Sequence, residues 1–497
     1  MFRGMLLAVA AAAVAVGFGA VPAEADTGLV PPTDWTARFD PASVPQPADG
    51  ARALDAAASL TPTVEPVAVT DAELATVGAS GSAPAIATPA LFIVDNDRVE
   101  CPNADFTSIT AAAAAAPPGA TIRVCPGRYE ESVPVLKDAL TLVAPRHQGQ
   151  ASQCPNDAAD DPTNYAIVDP PTGTNGFTIA ANGVVLDGFV VTNTTGLGSS
   201  GIVTSPLHSG YVVQHNVVQD NGYFGVQWRS SGAVASVFSH NCVRHQNVVP
   251  PAGPGNFREG LRVDRASNST IENNEFDDNF QAVDLIDCFC SSMDVVHNDF
   301  VSNFVAVPIG DSFNGFFQPQ LTNGLIAYNH FVGNTNGAVN LIVGVTDTDI
   351  AYNLVEGPAI WGMSLEGSNQ NTVIEQNHIR GTDLFGIFVH DGTGHLVQNN
   401  LVEDNGNTGI LLTQNANGNT IRENHVLDNG FYGIRANGPG AQASGNTIER
   451  NKAIGNGFVD CSDGSVGAGT SGTANLWIDD LGKTEDRPGL CTKPQTP

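Results

Sequence analysis

One pattern governs what this chain can fold into: an aliphatic residue, two variable residues, Asn, one variable residue, then an aliphatic or Phe. The Asn stands at 216, 241, 274, 298, 329, 353, 377, 400, 424 and 451, so successive spacings are 25, 33, 24, 31, 24, 24, 23, 24 and 27. Val185-Leu186-Asp187-Gly188-Phe189 reads as an earlier, degenerate copy. A second Asn often follows five residues later, at 221, 279, 303, 334, 405, 429 and 456. A Gly-aliphatic pair often follows nine residues after the first, as in Gly225-Val226, Gly386-Ile387 and Gly409-Ile410. Three marks in one register make this a repeat, and a period near 24 means stacked supersecondary units.

Each repeat alternates aliphatic and polar residues over three to five positions, too short for helices and suited to half-buried strands. Stacked at about 4.8 Å, equivalent residues of successive repeats lie over one another. Asn at the bend suits a corner for two reasons. It tolerates left-handed backbone, and its amide both donates and accepts along a ladder. Leucine-rich repeats need a Leu-x-x-Leu-x-Leu run, and calcium-binding nonapeptides need Gly-Gly-x-Gly-x-Asp; neither occurs.

The repeats, as in Asn371-Thr372-Val373-Ile374-Glu375-Gln376-Asn377-His378-Ile379, resemble the right-handed parallel β-helix repeats of the pectate-lyase-like superfamily. Phe106-Thr107-Ser108-Ile109, the Ala111–Ala116 run, Ile122-Arg123-Val124 and Pro126-Gly127-Arg128-Tyr129-Glu130-Glu131 are similar to the N-terminal cap and first coil of pectin methylesterases. The resemblance implies an all-β, right-handed parallel β-helix solenoid of about 11–13 coils with an Asn ladder and a short N-terminal helical cap. It does not imply one activity, since this fold carries lyases, hydrolases, esterases, epimerases and proteins without known chemistry. The Asp-Phe-Ile-Phe-Gly stretch of pectin methylesterases and the Asn-Thr-Asp and Gly-His-Gly motifs of polygalacturonases are absent.

The expected organisation is a signal peptide over 1–25, a Pro/Ala-rich leader over 26–90, the β-helix over 91–460, and a C-terminal cap over 461–497. Arg3, the apolar run Met5–Ala20 and Ala23-Glu24-Ala25 fit a secretory signal cleaved after Ala25. Eight Cys suit an oxidising compartment, and Cys461 with Cys491 is the pair expected to staple the tail. Acid outnumbers base 51 to 21, for a formal charge of −30. That balance argues against nucleic acid and anionic membrane as partners. The expectation is a secreted monomer.

If the residue after each Gly-aliphatic pair points outward, stacking yields an outward row: Val203, Gln227, Arg262, Asp284, Pro308, Asn340, Ser364, Phe388, Leu411 and Arg435. Two residues on, a second row contains Arg229, Asp264, Glu366 and His390. Charge concentrates at Arg229, Arg262, Asp264 and Asp284, where the two longest spacings also fall. Their extra residues must leave as loops, one carrying Phe316 and Phe317, beside Trp228 of a neighbouring coil. Aromatics with carboxylates and Arg suit a sugar chain.

Asp264, Asp284 and Arg262 are therefore the candidate catalytic residues, and Gln227, Arg229, Trp228, Phe316 and Phe317 the candidate substrate contacts. A diagonal of about 8 Å between the two Asp backbones would leave room for water, as an inverting glycosidase requires, whereas an Arg base would suit a lyase. His390-Asp391 with nearby His395 reads as surface polarity, with a metal or general-base role as the alternative. No cofactor is expected, the acidic loop of Asp157, Asp160 and Asp161 being the one place for Ca²⁺. The function expected is action on, or binding of, an extracellular polysaccharide (lyase, hydrolase or epimerase). The alternative is a non-catalytic binding or structural solenoid.

Overall fold

The computed structural model describes residues 90–146, 154–155, 158–196, 198–246, 259–310, 320–437 and 443–493. The expected signal sequence, nearly all of the leader, Phe316, Phe317 and Asp157 lie outside these residues. Among the described residues, no helix is long and apolar enough to cross a membrane.

The strands form a 29-stranded and a 13-stranded sheet, and pairings run parallel from the first, Leu91–Val94 on Thr121–Val124, to the last, Thr447–Glu449 on Leu476–Ile478. A representative coil passes through Phe385–Thr393, Leu396–Gln398 and Leu401–Glu403, each strand pairing with its equivalent in the next coil. The interior is one continuous column of Val, Ile, Leu and Phe, in which Phe276, Phe300 and Phe331 stack face to face.

The N-terminal end is closed as expected by a helix, Ile109–Ala115, with Ile109, Ala112 and Ala113 buried against the first coils. Ser108 caps it, and Glu131 accepts from the Ile109 and Thr110 amides, supplying acceptors to otherwise orphaned N–H groups. At the other end the Cys461–Cys491 bridge is present, together with Cys101–Cys125, Cys154–Cys242 and Cys288–Cys290.

Each corner carries a hydrogen-bonded ladder. From Asn216 through Asn424, each Asn donates its backbone N–H and its Nδ2 to the Oδ1 of the Asn one coil on, as Asn377 does to Asn400 at 3.0 Å by both routes. The second set of Asn forms its own ladder, with segments such as Asn279 to Asn303 to Asn334. The corner backbone differs from expectation. The Asn are not the left-handed residues; those are the residues just before them, including His215, His240, Tyr328, Gln376, Asn399 and Glu423, with φ near 55°. The tight turn has to come one position early so that the Asn side chain points into the stack.

The Gly mark also has a physical cause. A Cβ on Gly386 would meet Val402 Cγ1 at 2.3 Å and the Gly409 carbonyl at 2.8 Å, so only Gly lets successive coils approach here.

Candidate functional site

The outward row stacks in the register expected. Val203 pairs with Gln227, Gln227 with Arg262, and Arg262 with Asp284. Further on, Pro308 pairs with Asn340, Asn340 with Ser364, Ser364 with Phe388, Phe388 with Leu411, and Leu411 with Arg435. Trp228 does not belong on this face. Alternation turns it inward, where it is 0% exposed and packs edge-on between Tyr211 and Phe238. It is a core residue, and no sugar can reach it.

Arg262 and Asp284 are in direct ion-pair contact. Arg262 Nη1 also lies 3.4 Å from an oxygen of Glu259, which the sequence reading had not singled out. Both carboxylates are 0% exposed and the Arg262 side chain only 13%. Burial, then repulsion from Asp284, pushes the Glu259 carboxyl well above the usual carboxylate range, against the attraction of Arg262. Burial disfavours the Arg262 charge, but the two carboxylates outweigh it and raise its pKa. One guanidinium thus serves two sealed carboxyl groups.

Asp264 belongs to a separate group. It accepts from Arg229 Nε at 3.0 Å and from Arg265 Nε at 3.2 Å, and its side chain is 20% exposed. A β-bulge places these residues: Trp228 pairs with Val263, but Ser230 pairs with Ala266, so Asp264 and Arg265 together oppose Arg229. Arg265 takes the left-handed conformation that such a bulge needs (φ 53°). Asp264 and Asp284 are thus each held by a different guanidinium.

The histidines divide in the same way. His390 is outside, with Nδ1 2.7 Å from Asp391 Oδ2. His395 is 1% exposed and fills a corner, its Nδ1 accepting from the Thr372 amide at 3.3 Å while its own amide donates to Asn419. Burial lowers its pKa to about 4, so it sits as a neutral core residue. In the acidic loop, Asp161 accepts from Thr163 and Asn164 within its own turn.

Residues 320–478 match the family model described as the right handed beta helix region. No curated protein matches the chain. Similar solved structures include a mutant of the periplasmic alginate epimerase AlgG, 13% identical with a TM-score of 0.45 over 74% of this chain and 77% of that one. The DFA-IIIase of Arthrobacter chlorophenolicus A6, in complex with GF2, is 15% identical with a TM-score of 0.44 over 61% and 83%. The A-module of the Azotobacter vinelandii mannuronan C-5 epimerase AlgE6 is 15% identical with a TM-score of 0.38 over 78% and 91%. Parallel coils, corner ladders and the family match together define a right-handed parallel β-helix.

Proposed function

We propose that this is a secreted β-helix protein that acts on or binds an extracellular polysaccharide lying across its coils along the outward row. One observation supports the reading most: Arg262 clamped between Asp284 and Glu259, all withdrawn from water on a face that needs no such group for stacking. Burying an ion cluster costs several kcal/mol per charge before any attraction is regained, and apolar residues of similar size would serve stability as well. Perturbed carboxyl groups of this kind concentrate at functional sites. Glu259, its carboxyl pushed up by burial, stands with Asp284 on one guanidinium, so two carboxyl groups are gathered in one place.

In this reading Arg262, Asp284 and Asp264 form the catalytic or binding centre. Gln227 and Arg229 contact the saccharide beside them, with Phe316 and Phe317 as its aromatic contacts. The test is affinity electrophoresis and product assay over acidic and neutral polysaccharides, following reducing ends and the absorbance of unsaturated products. Asp264→Asn, Asp284→Asn and Arg262→Ala are expected to lower turnover by about two decades or more, with circular dichroism unchanged. Near-parental behaviour in all three would remove the centre. A parent protein that neither binds nor alters any polysaccharide would remove the reading.

A further inference from the structure

Three coil steps beyond Asp284, about 14 Å at the strand spacing, the same face carries ionisable side chains that the reading above leaves unused. Ser364 Oγ lies 2.6 Å from Asn340 Oδ1 and 3.4 Å from Glu366 Oε1. A hydroxyl has one proton, and the short contact with the amide oxygen claims it. The longer contact leaves the Glu366 carboxyl only weakly held by that hydroxyl. Burial pushes the Glu366 carboxyl up, against the pull of His390 and the bond from Ser364.

His390 follows one coil on, just past the paired rung Leu365–Val389. Asp391 holds its Nδ1, and Asn415 Nδ2 in turn donates to Asp391 Oδ1 at 2.8 Å. That chain fixes the imidazole and leaves Nε2 without a protein partner among the described residues. Here too a bulge interrupts the sheet: Val389 pairs with Leu412 but Asp391 with Asn415, so Thr413 and Gln414 together oppose His390. Gln414 has a φ of 51°, matching Arg265 at the first bulge. The Phe388 ring meets His390 edge-on at 5.4 Å and stacks on Phe385 at 5.2 Å, providing an apolar floor beside the polar groups.

We propose that Glu366 and the His390–Asp391 pair form an acid–base centre that hydrolyses an uncharged glycan, an inference that rests on the polysaccharide reading and names its substrate class. The carboxyl proton of Glu366 passes to the glycosidic oxygen as the C1–O bond breaks, and the bonding pair leaves with that oxygen. His390 Nε2 takes a proton from water as the water oxygen bonds C1. The proton on the imidazolium then returns to Glu366 through solvent, so one water is consumed and one reducing end released. The glycan is uncharged because the cations of this face are engaged. Arg229 and Arg262 are bonded to carboxylates, and Arg435 lies 4.2 Å from the Tyr432 ring centroid, in a chain of net charge −30.

The full chain is incubated with dextran, soluble starch, xylan, glucomannan, inulin and polygalacturonate, following reducing ends and, separately, retardation in gels containing each polymer. Cleavage of an uncharged member is expected, with Glu366→Gln and His390→Ala slower by at least about 100-fold while gel retardation and melting temperature hold. If either variant melts early, Asn415→Ala, which only loosens Asp391, should lower kcat by about tenfold at unchanged KM. Either variant within about threefold of the parent overturns the centre. Cleavage confined to polygalacturonate overturns the substrate class. Retardation without any cleavage overturns hydrolysis but leaves the polysaccharide reading intact, whereas neither retardation nor cleavage overturns both.

Discussion

Asn377 shows what a corner asks of one side chain. Its Oδ1 accepts from the backbone N and the Nδ2 of Asn353, its own N and Nδ2 donate to Asn400, and Nδ2 also reaches the Ile350 carbonyl. Leucine has the right size and none of these bonds. Asn377→Leu should therefore cost a few kcal/mol, each orphaned buried partner accounting for about 1–3 kcal/mol before relaxation. Denaturant titration that finds a loss below about 1 kcal/mol would show the ladder to be dispensable. The residue before it supplies a control on the backbone, since Gln376 has a φ of 53°. Gln376→Gly should be neutral or stabilising by up to about 1 kcal/mol, and Gln376→Val destabilising by about 1–2 kcal/mol, because β-branching is least tolerated in left-handed backbone.

At the scale of the element, the ladders have a direction, and this explains how they stop. Every rung donates toward the C-terminus, so a last rung needs acceptors only. Asn451 ends on Asp480, Asn456 on Asp460, and a third ladder, Asn419 to Asn446 to Asn475, on Asp463. Burial raises Asp480 from 3.8 to about 7, despite the stabilising bonds from Asn451. A raised folded pKa means its contribution to stability is fully present below 3.8 and is lost as pH rises toward 7. His395, lowered from 6.5 to about 4, acts oppositely and loses stability as pH falls through that window. Asp480→Asn should remove the first slope and leave the second, so its unfolding free energy should rise more steeply between pH 4 and 7 than the parent's; parallel pH profiles would refute the assignment. The first two ladders and the outward row could be read in the sequence because Asn and Gly recur there at fixed offsets. The third could not, since its corner holds different residue types in succession, Asn369, His395 and Asn419. The left-handed column has no signature either, running through His, Asn, Tyr, Gln and Glu. Trp228 was legible and misassigned, because strict alternation already turned it inward. Glu259 and the sealing of Asp284 were hidden, since burial on an outward row depends on neighbours that the period does not encode.

For the whole molecule, the balance between charge and stacking matters most. In a solenoid, stability is approximately a sum of intrinsic repeat terms and interfaces between neighbours, and the ends need closing. The helix Ile109–Ala115 and the Cys461–Cys491 bridge meet that need. Against the stack works a net charge of −30, which repels itself at long range. Exposed ion pairs such as Arg450–Glu423 and Arg380–Glu356 act in the other sense, but water screens them and salt weakens them further. Raising salt from about 0.01 to 0.15 M shortens the screening length from about 30 to 8 Å, which quenches repulsion between distant coils more than attraction at contact distance. The melting temperature at pH 7 should therefore rise with sodium chloride over this range by about 1 °C or more, since at about 2 cal/mol/K per residue each kcal/mol shifts a solenoid of this length by roughly that much. A melting temperature that falls with added salt would mean that the surface ion pairs, not the net charge, dominate the electrostatics of the folded chain.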